Sequence, residues 1–515
     1  MSFELNRRTM MKAGAAAGAY AAAGGAALAN EPKKGGTFRL GMGGANTSDS
    51  WDGRTHSDSY MINVAHGCVF DCMTEVAADG SLKGELAESW EASADAKTWT
   101  FNLRKGVTFH NGKDFSADDV LETFAIHTEE GSKSPAKPII GAIEEMKKLD
   151  SHQVQFTLSS GNADFPFLLS DYHILIHPAG MIAESIEKGI GTGGYKVDSF
   201  EPGVRMQATK YANHYKDDAC WFDEVEALAI TDTNARMNAM ATGQVDAINK
   251  VDFATMQMLT RNPNVNVFEV TGNQHYTFPM HANVAPYDSL EVRQALKYAF
   301  NRQELVDKIL LGHGAVANDH PIGPANQYFA SDLPQTEYDP EKARALLKKA
   351  GMEGLKVDLS ASAAAFNGAV DAALLFQQSA KAAGIDVNVV REPQDGYWSN
   401  VWQKKPFCAC YWSGRATEDW MFSTAYESGV PWNDNFWENA RFQSLLLEAR
   451  AELDTKKRGE MYHEMQMLCS TEGAVAVPMY ANYVDAASSK LANSGTIGNL
   501  WMLDGSRIAE RWWFA

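Results

Sequence analysis

The chain has 515 residues, of which 45% are apolar and 22% charged, and its formal net charge is −19. This length and composition predict a soluble globular protein of two or more domains. The negative charge argues against nucleic acid and anionic membrane surfaces as partners, but it leaves the charge of a local binding site open.

The N-terminal segment has the pattern of an export signal. Arg7-Arg8 precede an Ala/Gly-rich stretch that ends in Ala27-Leu28-Ala29. This pattern predicts a twin-arginine signal peptide over residues 1–29, cleaved after Ala29. A membrane anchor is less favoured, because Ala and Gly bury little apolar surface and the stretch is short. Since no cysteine stands at the cleavage site, we expect a free periplasmic protein without membrane insertion.

Six cysteines are few for this length, so the sequence does not predict a disulfide scaffold. The cysteines are Cys68, Cys72, Cys220, Cys408, Cys410 and Cys469. The spacings of the two close pairs lie near or beyond comfortable disulfide reach. We interpret all six as buried apolar residues; an oxidising compartment leaves a bridge open, with no pairing assigned.

The first part of the chain predicts strands, turns and one helix. A strand over residues 37–40 leads into a long polar loop, 41–58, which contains Trp51 and is of the kind that lines a site. Alternating strands are expected over 97–104 and 154–158. Asn111-Gly112 separately predicts a hairpin turn within residues 109–115. Ser116-Ala-Asp-Asp119 forms a capping box that begins a helix ending near His127.

Helices and strands alternate through the rest of the chain, which is typical of an α/β fold. Residues 232–246 predict a helix stopped by Gly243 and then a strand. Asp288 is expected to cap a helix over 289–300, and a second helix follows from Arg302 to Gly312. The remaining predicted elements are a helix between Asp339-Pro340 and Gly351, a helix over 371–383 and a strand over 385–390.

The stretch from Pro406 to Trp420 carries the strongest signal of a binding site. Phe407 to Trp412 is apolar enough for a strand buried on both faces, and Ser413-Gly414 ends it. Ligand crevices of open α/β sheets form at strand ends. The loop that follows carries Arg415, Thr417, Glu418 and Asp419 between Trp412 and Trp420. Indoles around a few charges predict a pocket for a small polar ligand; the alternative is an ordinary strand end with core tryptophans.

Sequence motifs of enzymes are absent. The chain contains no His-Glu-x-x-His, no Gly-x-Ser-x-Gly, no phosphate loop and no Cys-x-x-Cys. The histidines are scattered, so we expect neither a metal nor a cofactor. A periplasmic hydrolase built from distant residues stays the alternative outside binding, since catalytic triads are not local in sequence.

Several motifs in order resemble the extracellular solute-binding proteins of the peptide, nickel and opine importers. The matching residues are Leu86-Ala87-x-x-Trp90, Trp99-x-Phe101-x-Leu103-Arg104, Phe109-x-x-Gly112, Ala117-Asp118-Asp119-Val120, Gly191-Thr192-Gly193-Gly194-Tyr195 and Val292-Arg293-Gln294-Ala295-Leu296 with Asn301-Arg302. Gly194 stands where the family has proline.

The resemblance implies a two-lobed periplasmic binding protein, class II and type C-like, with an extra subdomain in the first lobe. Lobe I would comprise residues 30–75, 190–271 and 478–515, the subdomain 76–189, and lobe II 272–477. The chain would cross between the lobes near 271–273 and near 478–480. The protein would be a non-enzymatic monomer that captures a small solute in the cleft and delivers it to an inner-membrane ABC permease.

The resemblance also suggests the ligand site. In the peptide-binding members an aspartate in the loop after a tryptophan holds the ligand's α-amino group, but Trp412-Ser-Gly-Arg415 places an arginine there. A guanidinium repels an ammonium and pairs with a carboxylate, sulfonate or phosphate. We therefore expect a peptide-like, opine-like or other carboxylate-bearing solute. A bracing ion pair from Arg415 to Glu418 or Glu427 is the alternative role.

Further residues are expected around the ligand. They are Trp412 and Trp398 as stacking walls, Tyr397 beside them, Gln274 and His275 after the first crossing, and Trp51 in the first lobe's cleft loop. Core packing is the alternative for Trp398, Trp51 and His275. A haem or nickel-chelate carrier is the alternative function within the family.

Overall fold

A seven-stranded sheet organises one part of the molecule in the computed structural model, which describes residues 31–515. Its strands, in spatial order, are Val265–Val270, Tyr483–Ser488, Ala247–Ile248, Thr37–Met42, Glu224–Ala229, Arg205–Lys210 and Tyr195–Glu201. The strand Thr37–Met42 lies in the middle and pairs in parallel with both of its neighbours, as in α/β folds.

A four-stranded sheet organises a second part. Its strands, in spatial order, are Gly314–Val316, Val475–Ala481, His275–Pro279 and Cys410–Trp412, and a parallel pair, Lys356–Ala361 and Asp386–Arg391, lies beside it. The chain passes from the seven-stranded sheet to this one between residues 270 and 275 and returns between 481 and 483. The crossings between lobes predicted near 271–273 and near 478–480 stay predictions.

An antiparallel sheet stands apart from both. Its strands, in spatial order, are Ala87–Ala92, Thr98–Leu103, Gln153–Leu158 and Ile143–Asp150. Two small antiparallel pairs are Thr74–Val76 with Leu82–Gly84, and Leu491–Ala492 with Trp513–Phe514. Alternate residues of Thr98–Leu103 point into a core, which agrees with the alternation of the sequence.

Helices cover these sheets and connect their strands. They are Ser59–Ala65, Ala117–Thr128, Lys137–Gly141, Phe165–Leu168, Ile182–Lys188, Thr233–Thr242, Met256–Thr260, Leu290–Tyr298, Arg302–Leu305, Pro340–Ala350, Ala369–Lys381, Tyr397–Asn400, Glu418–Ala425, Ala440–Ala451, Thr455–Thr471, Met502–Ser506 and Ile508–Arg511.

Local capping signals placed several of these helices correctly. Asp339 accepts a hydrogen bond from the amide of Lys342, and Gly351 ends the helix Pro340–Ala350 in the left-handed conformation. The capping box at Ser116 is also present. The helix Leu290–Tyr298, however, is capped by Ser289 rather than by the predicted Asp288, because the Ser289 hydroxyl accepts from the amide of Val292.

Two expectations for the stretch 406–420 were wrong in detail. Only Cys410–Trp412 forms a regular strand, and Phe407 makes an isolated bridge to Met280. The residues after Arg415 form the helix Glu418–Ala425, capped by Thr417, rather than a loop. The Thr417 hydroxyl accepts from the amide of Trp420, and this local bond fixes the start of the helix.

Separate hydrophobic cores lie under the three large sheets. The core of the second sheet contains Phe278, Phe300 and Phe376, and the core of the antiparallel sheet contains Phe101 and Phe156. All six cysteines are buried thiols without a disulfide, and their burial agrees with the prediction from the sequence. Within residues 31–515, no helix combines the length and the hydropathy that a membrane crossing requires.

Gly194 is required by the packing of Cys220. A Cβ added at Gly194 would lie 2.0 Å from Cys220 Sγ and 2.7 Å from Cys220 Cβ. Cys220 itself has a positive φ of 56°, a conformation that favours glycine. The thiol therefore fills the space that a proline ring or any other side chain at position 194 would occupy.

We expect Gly194→Ala to destabilise the fold by about 1–3 kcal/mol, because a buried position is overpacked. Adding Cys220→Gly should restore most of this loss, since it removes both clashing atoms and relieves the positive φ. Gly141→Ala is the control: no atom lies within 4 Å of its added Cβ, so stability should hold or rise slightly. Urea denaturation measures all three, and a neutral Gly194→Ala would contradict the packing argument.

Candidate functional site

The turn after Trp412 brings the second sheet against the C-terminal segment. Gly414 lies so close to Asn273 that an added Cβ would be 2.4 Å from the Asn273 Cβ. The Gly414 amide donates to the hydroxyl of Tyr483, and the indole nitrogen of Trp501 donates to the Gly414 carbonyl at 2.9 Å. These contacts hold the backbone that carries Arg415.

Arg415 is a buried guanidinium without an acidic partner. Arg415 is 1% exposed, and within residues 31–515 no carboxylate lies within ion-pair distance of it; the nearby Asp171 is bound to His173 and Trp420 instead. Nη1 donates to the carbonyls of Ser413 and Gly414 at 3.2 and 3.1 Å, and Nη2 donates to the Tyr172 hydroxyl at 3.4 Å. Nε has no hydrogen-bond partner. A buried charge in this state has unused donor capacity.

The bracing role suggested for Arg415 is wrong. Glu418 accepts from the amide of Tyr328 at 2.8 Å, and Glu427 pairs with Arg450. Arg415 instead lies over aromatic rings, with its guanidinium carbon 5.5 Å from the ring centre of Tyr172 and 5.6 Å from that of Trp420. Ring faces attract a cation but do not satisfy N–H groups.

Arg415 lines a small cavity together with a cluster of four tryptophans. The cavity has a volume of about 30 Å³, and the cluster consists of Trp398, Trp402, Trp412 and Trp432. Tyr172, Tyr411 and Ser57 complete its walls. The predicted residues Arg415, Trp412 and Trp398 are therefore brought together at one place.

Asp58 joins this cluster to the other part of the molecule. It lies in the polar loop predicted to line a site, and it accepts from Trp398 Nε1 at 3.0 Å, from the Tyr411 hydroxyl at 2.7 Å and from Lys250 Nζ at 3.0 Å. Burial raises the pKa of the Asp58 carboxyl, but Lys250 and the donated hydrogen bonds hold it below its usual range. A second cavity of about 210 Å³, lined by this loop, Trp398 and Ser399, lies next to it.

Gln274 and His275 lie beside the cluster. His275 pairs with Trp412 across two strands, and its Nδ1 lies 3.2 Å from the Asn273 carbonyl oxygen. Burial lowers the pKa of His275 to about 4, so its ring is neutral at physiological pH. Gln274 lines a separate cavity of about 30 Å³ and donates to the Tyr276 hydroxyl.

The remaining two predicted residues are core residues in this structure. Trp51 is 1% exposed and packs between Phe70 and Phe200, with ring centres at 6.1 and 4.7 Å, so its predicted place in the cleft is wrong. Tyr397 is fully buried, and its hydroxyl donates to the Ala409 carbonyl at 2.7 Å. It supports Trp398 from behind through a perpendicular ring contact at 5.6 Å.

Asp434 is a site residue that the sequence did not signal. It is buried behind the cluster and accepts from Trp402 Nε1 at 2.9 Å. Burial raises the pKa of Asp434 to about 6, although the hydrogen bond from Trp402 opposes the shift. Trp402, Trp432 and Tyr172, which line the cavity, were missed as well, because no motif marks them in the sequence.

One group of acidic residues has the spacing of a metal site but is already neutralised. Glu75, Glu85 and Glu510 lie close together, and Lys216 Nζ contacts all three at 3.1, 2.9 and 2.5 Å. Arg507 pairs with the same carboxylates. This arrangement is a buried ion-pair network rather than a place for a cation.

Comparisons with known proteins identify relatives over most of the chain. The family model for bacterial extracellular solute-binding proteins, family 5 Middle, matches residues 81–434. Di/tripeptide-binding protein 1 of Pseudomonas aeruginosa is 29% identical over 442 residues, which cover 79% of this chain and 82% of that protein.

Solved structures show the same fold. The binding protein AgaA of A. tumefaciens R10, in complex with agropinic acid, has a TM-score of 0.86 and is 23% identical. The match covers 93% of this chain and 99% of AgaA. The ABC transporter-associated periplasmic binding protein DppA of Helicobacter pylori, in complex with the peptide STSA, has a TM-score of 0.84 at 22% identity. It covers 93% of this chain and 98% of its own.

Asp434→Asn should change the pH dependence of stability. A carboxyl whose folded pKa is about 6 contributes stability below about pH 4, and this contribution is lost as the pH rises through about 6. Between about pH 4 and pH 7 the wild type should therefore lose up to about 3 kcal/mol relative to Asp434→Asn, which keeps an oxygen acceptor for Trp402. Denaturation curves at both pH values measure it; a pH-independent difference would contradict the assignment.

Proposed function

Because this chain belongs to the bacterial extracellular solute-binding proteins of family 5, we propose that Arg415 anchors an anionic group of its solute. Proteins of this family are the solute-binding components of ABC importers, and the chain is such a component and not an enzyme. The hydrolase alternative is therefore wrong. The family does not name the solute of this chain, so the chemistry of the site has to indicate it.

The unpaired state of Arg415 carries this proposal. A buried guanidinium without an acidic partner is costly, and its Nε donor has no acceptor. A carboxylate, sulfonate or phosphate entering the cavity would supply both the counter-charge and the acceptor. The ligand-binding residues proposed are Arg415, Trp398 and Trp412, with Gln274 and His275 beside them.

The size of the cavity indicates how binding proceeds. A volume of about 30 Å³ is roughly that of one water molecule in the liquid, so a solute enters only after the walls separate. We propose that the part built on the seven-stranded sheet, with its subdomain 76–189, and the part built on the second sheet are two lobes. They would separate about the crossings near 270–275 and 481–483, breaking contacts such as those of Asp58.

Location and partners follow the family. Its proteins are extracellular or periplasmic and hand their solute to an ABC permease. We propose that this chain acts as a monomer in the periplasm and reaches it by the twin-arginine route; residues 1–29 lie outside the part that the structure describes. A haem or nickel chelate is the alternative solute, and metal bound after purification would distinguish it.

Arg415→Ala should weaken binding of a carboxylate-bearing solute about thirty- to several-thousand-fold, since losing one side of a buried charged pair costs about 2–5 kcal/mol. Mass spectrometry of what co-purifies names the solute, and titration calorimetry measures its affinity. Arg293→Ala is the matched control, a buried guanidinium of the helix Leu290–Tyr298 that binds backbone carbonyls and does not line this cavity. It should lower the melting temperature but not the affinity. An unchanged affinity of Arg415→Ala would refute the anchor.

Replacing Arg7 and Arg8 together by lysine should leave the precursor in the cytoplasm, because the twin-arginine receptor reads the guanidinium pair. Cell fractionation and immunoblotting give the distribution, and a Lys12→Arg variant serves as the control. Normal periplasmic accumulation of the double variant would refute the export route without bearing on the binding site.

A further inference from the structure

The tryptophan cluster has the geometry of an aromatic cage. Trp402 lies at its base, and the ring centres of Trp398, Trp412 and Trp432 are 5.7, 6.2 and 5.6 Å from that of Trp402, at interplanar angles of 80°, 70° and 80°. Trp412 and Trp432 adjoin each other at 5.6 Å and 66°. Three indoles thus stand nearly upright on a fourth, around a cavity that also contains Arg415.

Carboxylates hold two of these indoles by their N–H edges. Trp398 Nε1 donates to Asp58 and Trp402 Nε1 donates to Asp434, both of which are buried or nearly so. The positive edges of these rings are therefore turned toward anions, while the remaining ring surface lines the cavity. The charge of Asp434 behind the rings favours a cation in front of them, whereas the charge of Asp58 is balanced by Lys250.

The cage offers a cation few hydrogen-bond acceptors. Asp58 already accepts from Trp398, Tyr411 and Lys250, and Asp434 accepts from Trp402. A primary ammonium brings three N–H donors that such walls would leave unsatisfied. A fully methylated ammonium has no N–H donor and binds ring faces through its charge and its methyl groups, as quaternary ammonium ligands do in aromatic cages.

We infer that the solute is a small betaine, with its methylated ammonium among Trp398, Trp402, Trp412 and Trp432 and its carboxylate on Arg415. This inference rests on the proposed function, since it takes Arg415 as the anchor of the anionic group. The two charges of such a zwitterion are a few bonds apart, and both subsites line one cavity. The carboxylate lies between the guanidinium and the ammonium and so separates the two cations.

We expect the solute to enter the cavity past the tryptophans that are partly exposed to solvent. Trp398 and Trp432 retain some solvent exposure, whereas Trp402 and Trp412 are buried. Trp398 also belongs to the lining of the larger neighbouring cavity. Movement of these two indoles would enlarge the site without disturbing the strand Cys410–Trp412 or the position of Arg415.

The test compares pairs of ligands that differ only in charge. Trimethylglycine and trimethylammonium butyrate are titrated into ligand-free protein beside their carbon isosteres, tert-butylacetate and tert-butylbutyrate. At least one betaine should bind tenfold or more tightly than its isostere, a difference of about 1.4 kcal/mol. Choline, which lacks the carboxylate, should bind more weakly than the betaine.

Trp432→Leu should remove most of the preference for the betaine, while both ligands still depend on Arg415. Trp90→Leu, a partly exposed tryptophan of the antiparallel sheet, is the control and should leave both affinities unchanged. Equal affinity of betaine and isostere, or failure of both betaines to bind, overturns the inference. In either case a carboxylate solute that loses affinity in Arg415→Ala leaves the proposed function intact, whereas a solute indifferent to Arg415 refutes the anchor itself.

Discussion

The candidate site depends on one enclosed guanidinium, that of Arg415, which has no carboxylate within ion-pair distance in the part of the chain that the structure describes. Arg415 is tolerated there because two backbone carbonyls and a tyrosine hydroxyl accept from it and two ring faces cover it. These contacts leave Nε without an acceptor. The tight turn at Gly414, held by Tyr483 and Trp501, keeps the charge in this place, so that the cavity wall is positive before any solute arrives.

Several other buried cations are paired with carboxylates, in contrast to Arg415. Lys216 and Arg507 lie among Glu75, Glu85 and Glu510, and these ion pairs fasten the C-terminal residues to the first part of the chain. Arg450 is likewise paired with Asp419. Each of these cations has its counter-charge within the protein, as buried ion pairs require. Arg415 differs by being turned toward a cavity, which is the property that a ligand anchor needs.

Asp58 joins the two parts of the molecule at the tryptophan cluster. One carboxylate from the loop that follows the strand Thr37–Met42 accepts from Trp398 of the helix Tyr397–Asn400 and from Tyr411 of the second sheet, and Lys250 balances its charge. The bond to Trp398 also orients one wall of the tryptophan cluster. In the closure proposed above, Ser57, Tyr172 and Asp58 would come against the four tryptophans, all of which belong to the second part.

The sequence by itself determined much of the local structure and indicated two residues of the candidate site. Helix limits such as Asp339 and Gly351 follow from bonds between residues three or four apart, and such bonds are visible in the sequence. Trp412 and Arg415 were predicted as site residues because they lie at a strand end, and both line one cavity. Only the tertiary structure decided which other residues meet them: Ser57, Tyr172, Trp402 and Trp432 reach the cavity from other elements, while Trp51 and Tyr397 face cores. The reason is physical, since the side of a strand end or loop that meets solvent depends on packing between elements that are not adjacent in the chain, which no local pattern encodes.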